Sequence, residues 1–113
     1  MSKRLTLILQ EDPSANPRRV NDALRYVGAA LTQEMPVRLH LLGPAVRLAR
    51  RDPDADPSGL LAELIEVGLS VSACGKSLDD HALADEHLRP EVERASMKAL
   101  AQWSAESDLV LSF

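Results

Sequence analysis

Four short apolar runs, closed by turn residues and separated by stretches of helical periodicity, constrain this chain more than any other feature. Arg4 to Gln10 holds Leu5-Thr-Leu-Ile-Leu9 and stops at Glu11-Asp12-Pro13-Ser14. Val37-Arg-Leu-His-Leu-Leu42 stops at Gly43-Pro44, Leu69 to Ala73 runs into Cys74-Gly75, and Leu109-Val-Leu-Ser-Phe113 comes last. A short apolar run bounded by such signals reads as a buried strand.

The segments between them read as helices. Asn16 followed by Pro17 matches an N-cap with proline in the first turn. Val20, Ala23, Leu24, Val27 and Leu31 then share one helical face. Pro36 stops that helix near Glu34, because it disfavours helical backbone at Met35. Ala45 to Arg51 reads as a short helix, and Asp52-Pro-Asp-Ala-Asp-Pro57 as a flexible acidic loop. Ser58 is placed to cap a helix carrying Leu60, Leu61, Leu64 and Ile65, with Gly68 at its end. Residues 75–89 have no clear period. Pro90, Glu91 and Glu93 resemble a helix start, with Val92, Ser96, Ala99, Leu100 and Trp103 on its buried face.

Strands alternating with helices predict an α/β fold, a three-layer α/β/α sandwich around a mainly parallel sheet, in one domain spanning residues 1–113. Ligand sites in such sheets lie beyond the carboxyl ends of the strands. Three segments are therefore expected to meet: Gln10 to Asn16, Leu42 to Pro44, and Cys74 to His81.

Composition narrows the function. Apolar residues make up 45% and charged residues 27%, a globular rather than disordered balance. No run approaches the roughly 18 apolar residues of a membrane span, and the first apolar run is too short for a signal peptide; a cytoplasmic protein is expected. Residues 1–51 carry 9 basic and 4 acidic side chains, and residues 52–113 carry 4 and 13. That asymmetry can orient a partner, although solvated faces are its plain reading. Three aromatics, Tyr26, Trp103 and Phe113, are too few for a base-stacking surface, so no direct nucleic-acid contact is expected.

There is no G-x-G-x-x-G after the first strand, no G-x-x-x-x-G-K-[ST] and no G-x-S-x-G; no cofactor is expected. The single cysteine, Cys74, rules out an intramolecular disulfide and a multi-thiolate zinc site. The plain reading of a lone cysteine is a small buried hydrophobe. The chemical one is a nucleophile whose reactive thiolate is helped by Lys76 and by a helix starting at Ser77 to Asp79, and hindered by Asp79 and Asp80. Gly75 is expected to let the chain turn and give a substrate access. His81 is a candidate base, with a solvated loop histidine as its plain alternative. Cys74, His81 and His87, spaced by 7 and 6, match no standard metal spacing, and no metal is expected. His40, mid-strand, reads as structural or as a subunit contact. Arg47, Arg50 and Arg51 crowd one short segment, as solvated surface or as a receiver for an acidic partner. Trp103 reads as core or interface.

Three pieces of the chain together resemble the DsrE/DsrF/YchN-like family of small sulfur-relay proteins. They are the closing helix and strand Leu100-Ala-Gln-Trp-Ser-Ala-Glu-Ser-Asp-Leu-Val-Leu-Ser-Phe113, the loop Val71-Ser-Ala-Cys-Gly-Lys-Ser-Leu-Asp-Asp-His-Ala-Leu83, and the opening strand and helix followed by Leu41-Leu-Gly-Pro-Ala-Val46. The resemblance implies that Cys74 matches the family's sulfur-carrying cysteine. It also implies assembly with copies of the same chain, as a trimer or hexamer, with the site at a subunit interface. Ser77 stands where some relatives carry a second cysteine, and His81-Ala82 where relatives often have Arg-Gly.

The leading expectation is a cytoplasmic sulfur carrier or sulfurtransferase relaying persulfide sulfur through Cys74, between a donor and an acceptor protein. Gly75, Lys76, Ser77 and His81 support it. The alternative is a non-catalytic oligomeric binding or scaffold protein of the same fold. A third reading is a small-molecule enzyme using His81 with Asp79 or Asp80 as acid and base.

Overall fold

A computed structural model describes residues 3–113. Five parallel strands form one sheet in the order β4-β3-β2-β1-β5. They are β1 (Leu5–Leu9), β2 (Val37–Leu41), β3 (Ser70–Cys74), β4 (Val92–Ala95) and β5 (Leu109–Ser112). The helices are α1 (Pro17–Thr32), α2 (Leu60–Glu66), α3 (Gly75–Asp80) and α4 (Met97–Glu106), with 3₁₀ turns at Gly43–Ala49, Pro53–Ala55 and Asp85–His87. The three-layer α/β/α architecture with a parallel sheet is therefore present.

The two faces of the sheet differ in chemistry because alternate residues point to opposite sides. Leu5, Leu7, Leu9, Val37, Leu39, Leu41, Val71 and Ala73 line one face and pack with Val20, Ala23, Leu24 and Val27 of α1 and Leu61 and Leu64 of α2. Each leucine buried there is worth about 1.5–3 kcal/mol, so this layer dominates stability. Close helix packing leaves little room at Gly28, where a Cβ would lie 3.3 Å from Leu64 Cδ2.

The opposite face carries Thr6, Arg38, His40, Ser70, Ser72 and Cys74. Only α4 crosses it, linking β4 at one edge to β5 at the other. Leu100 is the one fully buried side chain of α4, and polar contacts do much of the seating. Thr6 Oγ1 and Ser107 Oγ lie 2.7 Å apart, Trp103 packs edge-on to His40, and the Arg38 guanidinium stacks 3.8 Å from the indole centroid.

Several local expectations are corrected. Val92–Ala95 is a strand, not the first turn of a helix; α4 begins at Met97, with Ser96 Oγ accepting from the Ala99 N–H at 3.1 Å. The short segment V-E-R-A is an edge strand and largely exposed, so it shows none of the apolar run by which the inner strands announce themselves. Asn16 precedes α1 but does not cap it; its amide donates to Glu11 Oε2 instead. The cap of α2 comes from Asp56, inside the loop read as flexible. Its carboxylate is 2% exposed, accepts from the Leu61 and Ala62 N–H groups and pairs with Arg89 at 3.4 Å. Ser58 Oγ is limited to the Leu60 N–H at 3.3 Å. Gly68 does end α2, with φ 109°, a backbone that side chains strain to adopt. The last strand is not buried: among the described residues β5 pairs only with β1, and Leu109 is 39% and Val110 44% exposed.

Candidate functional site

Cys74 is the last residue of β3 and the residue before α3, so the thiol sits at the carboxyl edge of the sheet. It is free and 5% exposed. It shares the polar face with Ser72, two residues earlier, and lies in register with Ala95 of β4. Cys74, Ala95 and Leu100 are buried outside the contiguous apolar core on the α1 face. The thiol is therefore buried outside that core, on the α4 side of the sheet.

The three carboxyl-end segments do meet, through the 3₁₀ turn Gly43–Ala49. Arg47 Nη1 pairs with Asp12 Oδ2 of the first loop at 2.9 Å. On the other side the Gly43 N–H donates to Ser77 Oγ at 2.9 Å, tying the end of β2 to α3. Ser77 is buried and braces the turn that follows Cys74. Gly43 has φ 59°, as the sharp exit from β2 demands.

The charges around α3 are arranged differently from the expectation. Lys76 is directed to solvent, its side chain 86% exposed, and pairs along the helix with Asp80 at 3.7 Å. The cation that reaches the turn is Arg94 of β4. Its Nη2 pairs with Asp79 Oδ1 at 2.5 Å, and its Nη1 donates to the Gly75 carbonyl at 3.4 Å. Both acids expected to oppose a thiolate are thus matched with cations. Arg94 lies 20 residues from Cys74 in the sequence, on an edge strand whose acidic start imitates a helix, so no spacing relates the two. Gly75 does not adopt a left-handed backbone, and a Cβ there would stand 3.5 Å from Arg94 Cγ, an ordinary contact. The turn therefore does not require glycine.

His81 closes α3, its N–H donating to the Ser77 carbonyl. Asp79 and Asp80 pair with Arg94 and Lys76 rather than with His81, which removes the acid–base pairing from the enzyme reading. His87 is held in its own turn, its Nδ1 accepting from the Ala84 N–H at 3.2 Å. Among the described residues no three His, Cys, Asp or Glu side chains converge as metal ligands, and no helix is long and apolar enough to cross a membrane. The arginine cluster is largely neutralised within the chain: Arg47 meets Asp12, and Arg50 meets Asp52 at 2.5 Å.

One titratable group lies in the same polar layer. His40 is fully buried, and its Nδ1 is 2.8 Å from Ser72 Oγ. Its Nε2 is buried without a partner among the described residues. Burial pushes this imidazole below its ordinary value of 6.5, and the neighbouring Arg38 charge pushes the same way; both disfavour the cation.

Residues 3–113 match the DsrE/DsrF-like family. An uncharacterised protein of Methanopyrus kandleri, MK0008, is 34% identical over 113 residues, covering 96% of this chain and 93% of its own. The uncharacterised protein MJ0989 of Methanocaldococcus jannaschii is 32% identical over 114 residues, covering 97% and 99%. Among solved structures, the YchN protein of E. coli superposes with TM-score 0.83 at 25% identity over 100% of both chains. MTH1491 of Methanobacterium thermoautotrophicum, a protein of unknown function, shares the fold with TM-score 0.80 at 21% identity over 99% of this chain and 100% of its own.

Proposed function

The chain belongs to the DsrE/DsrF-like family, and on that premise we propose that it is a cytoplasmic sulfur carrier whose Cys74 accepts and hands on persulfide sulfur. The observation that carries the reading is the position of Cys74 at the carboxyl end of β3, beside a turn braced by Ser77 and Arg94. In the exchange, the Cys74 thiolate attacks the outer sulfur of a donor persulfide. A new S–S bond forms, the donor's S–S bond breaks, and the donor leaves as a thiolate. Cys74 then holds Cys–S–SH, which an acceptor thiolate takes by the same step. No oxidant is consumed. Such exchange requires access to the sulfur and is helped by a nearby cation; Arg94 is the cation at that turn.

We also propose that the protein assembles with copies of itself, as a trimer or hexamer. The support is the open edge of β5, where Leu109 and Val110 are exposed on a strand without a charged side chain. Unprotected apolar edges are normally covered.

The burial of Cys74 favours a second reading, an oligomeric binding protein that keeps the fold without the chemistry. Intact mass after incubation with a sulfane-sulfur donor separates the two. Gain of one sulfur atom, reversed by reductant and absent in Cys74→Ser, supports the carrier. No gain, together with a thiol that is alkylated only on unfolding, replaces it with the binding protein.

A further inference from the structure

At the end of the sheet opposite Cys74, the amino ends of β1, β2 and β3 and the last turns of α4 line an open cavity of about 240 Å³. Ser70 and Cys74 begin and end the same strand, so the two places are separated by about 13 Å of strand. Thr6, Arg38 and Ser70 lie side by side in register on the α4 face. Trp103, Glu106 and Ser107 face them, and Arg4 and Pro36 complete the rim.

The hydrogen-bonding capacity of this lining is unbalanced. Ser107 Oγ donates to the Trp103 carbonyl at 2.8 Å, which commits its only proton. The 2.7 Å contact with Thr6 then requires the Thr6 hydroxyl to donate, so neither hydroxyl has a proton left. The Arg4 guanidinium, the Ser70 hydroxyl and the Trp103 indole N–H make no side-chain hydrogen bond among the described residues. Arg38 stacks on the indole and reaches Glu93 only at 3.9 Å. Against these donors stands one acid, Glu106, whose carboxylate accepts from Gln102 Nε2 at 3.3 Å. Pro36 and the indole supply the apolar wall, the Leu5 and Val37 side chains being turned to the α1 face.

A concave site with two guanidiniums, free neutral donors and a flat apolar wall suits a carboxylate attached to a flat apolar body, because guanidinium matches carboxylate in a two-point fork. The volume lies below the roughly 300–1,000 Å³ usual for drug-sized ligands, which restricts the ligand to a small one. We propose that this cavity is a binding site for a small aromatic carboxylate, held by Arg4 and Arg38 against Trp103.

The chain has one tryptophan, so a single indole N–H resonance reports on the site. Titration of the whole protein with benzoate at constant ionic strength is expected to move that resonance saturably. Arg4→Gln is expected to weaken binding about tenfold or more, the scale of one charge-assisted fork, and its backbone bonds to Asp108 and Leu109 keep β1 in place. Glu106→Gln, which removes the opposing charge, is expected to tighten binding, and Arg51→Gln, remote from the cavity, to leave it unchanged. Absence of a saturable shift, an equal shift in Arg4→Gln, or sulfate binding as tightly as benzoate overturns the proposal.

Discussion

Arg94 on the edge strand β4 pairs with Asp79 on α3 at 2.5 Å, and the same guanidinium donates to the carbonyl of Gly75, the residue after Cys74. One side chain from the sheet edge thus fixes the helix that follows the thiol and brings positive charge to its turn. Exposed ion pairs contribute little to stability, so the consequence of this pair is expected in the chemistry at Cys74.

Arg94→Gln tests that expectation. Sulfur loading at Cys74, followed by intact mass against time, is expected to slow several-fold, while the urea unfolding free energy changes by no more than about 1 kcal/mol. Loading at the wild-type rate would show that the guanidinium has no part in the exchange.

His40 predicts a pH dependence of stability. Burial and Arg38 hold its folded-state value below 6.5, so between that lowered value and 6.5 the unfolded chain binds more protons than the folded one. Stability from this group is complete above the unfolded value and is lost as pH falls through the folded one. The urea midpoint is expected to decline on acidification below about pH 6.5, and His40→Gln to flatten that part of the profile. Partially exposed His81 and His87 remain in both proteins, so the difference between the two curves isolates His40.

Asp56 combines a helix cap with a buried ion pair. Asp56→Ala removes the acceptor of two α2 N–H groups and leaves Arg89, whose side chain is 18% exposed, without its anion. A loss of about 3 kcal/mol is expected from the cap and the stranded charge together, read by urea denaturation. Loss below about 1 kcal/mol, the cap alone, would mean that the Arg89 pair contributes nothing net.

The exposed edge of β5 makes self-association testable by a single charge. Val110→Lys places an ammonium on the open strand, a change that natural edges use to prevent pairing. Sedimentation of wild-type protein is expected to show a trimer or hexamer, and Val110→Lys a smaller species with an unchanged circular dichroism spectrum. An oligomer unaffected by the substitution would place the contact elsewhere.

The inner strands were legible because each is a compact apolar run with turn residues behind it, and α1 because Val20, Ala23, Leu24 and Val27 repeat on one face. β4 was not, because an exposed edge of four residues has no apolar signature, and Glu91 and Glu93 imitate a helix start. Cys74 was visible as the lone thiol after a strand. Its cation was not: Lys76 is near in sequence but turned to solvent, and Arg94 is distant in sequence but adjacent in space.

The sequence by itself determined the layered α/β architecture, the parallel sheet and the placement of Cys74 at a strand end, because hydrophobic periodicity and turn chemistry act locally along the chain. The tertiary structure alone decided which face of the sheet is polar, which arginine reaches the turn after Cys74, that the thiol is covered, and that Arg4, Arg38 and Ser70 meet Trp103 in one donor-rich cavity. Those outcomes depend on strand order and on the path of α4 across the sheet, which bring together residues that no spacing in the chain relates.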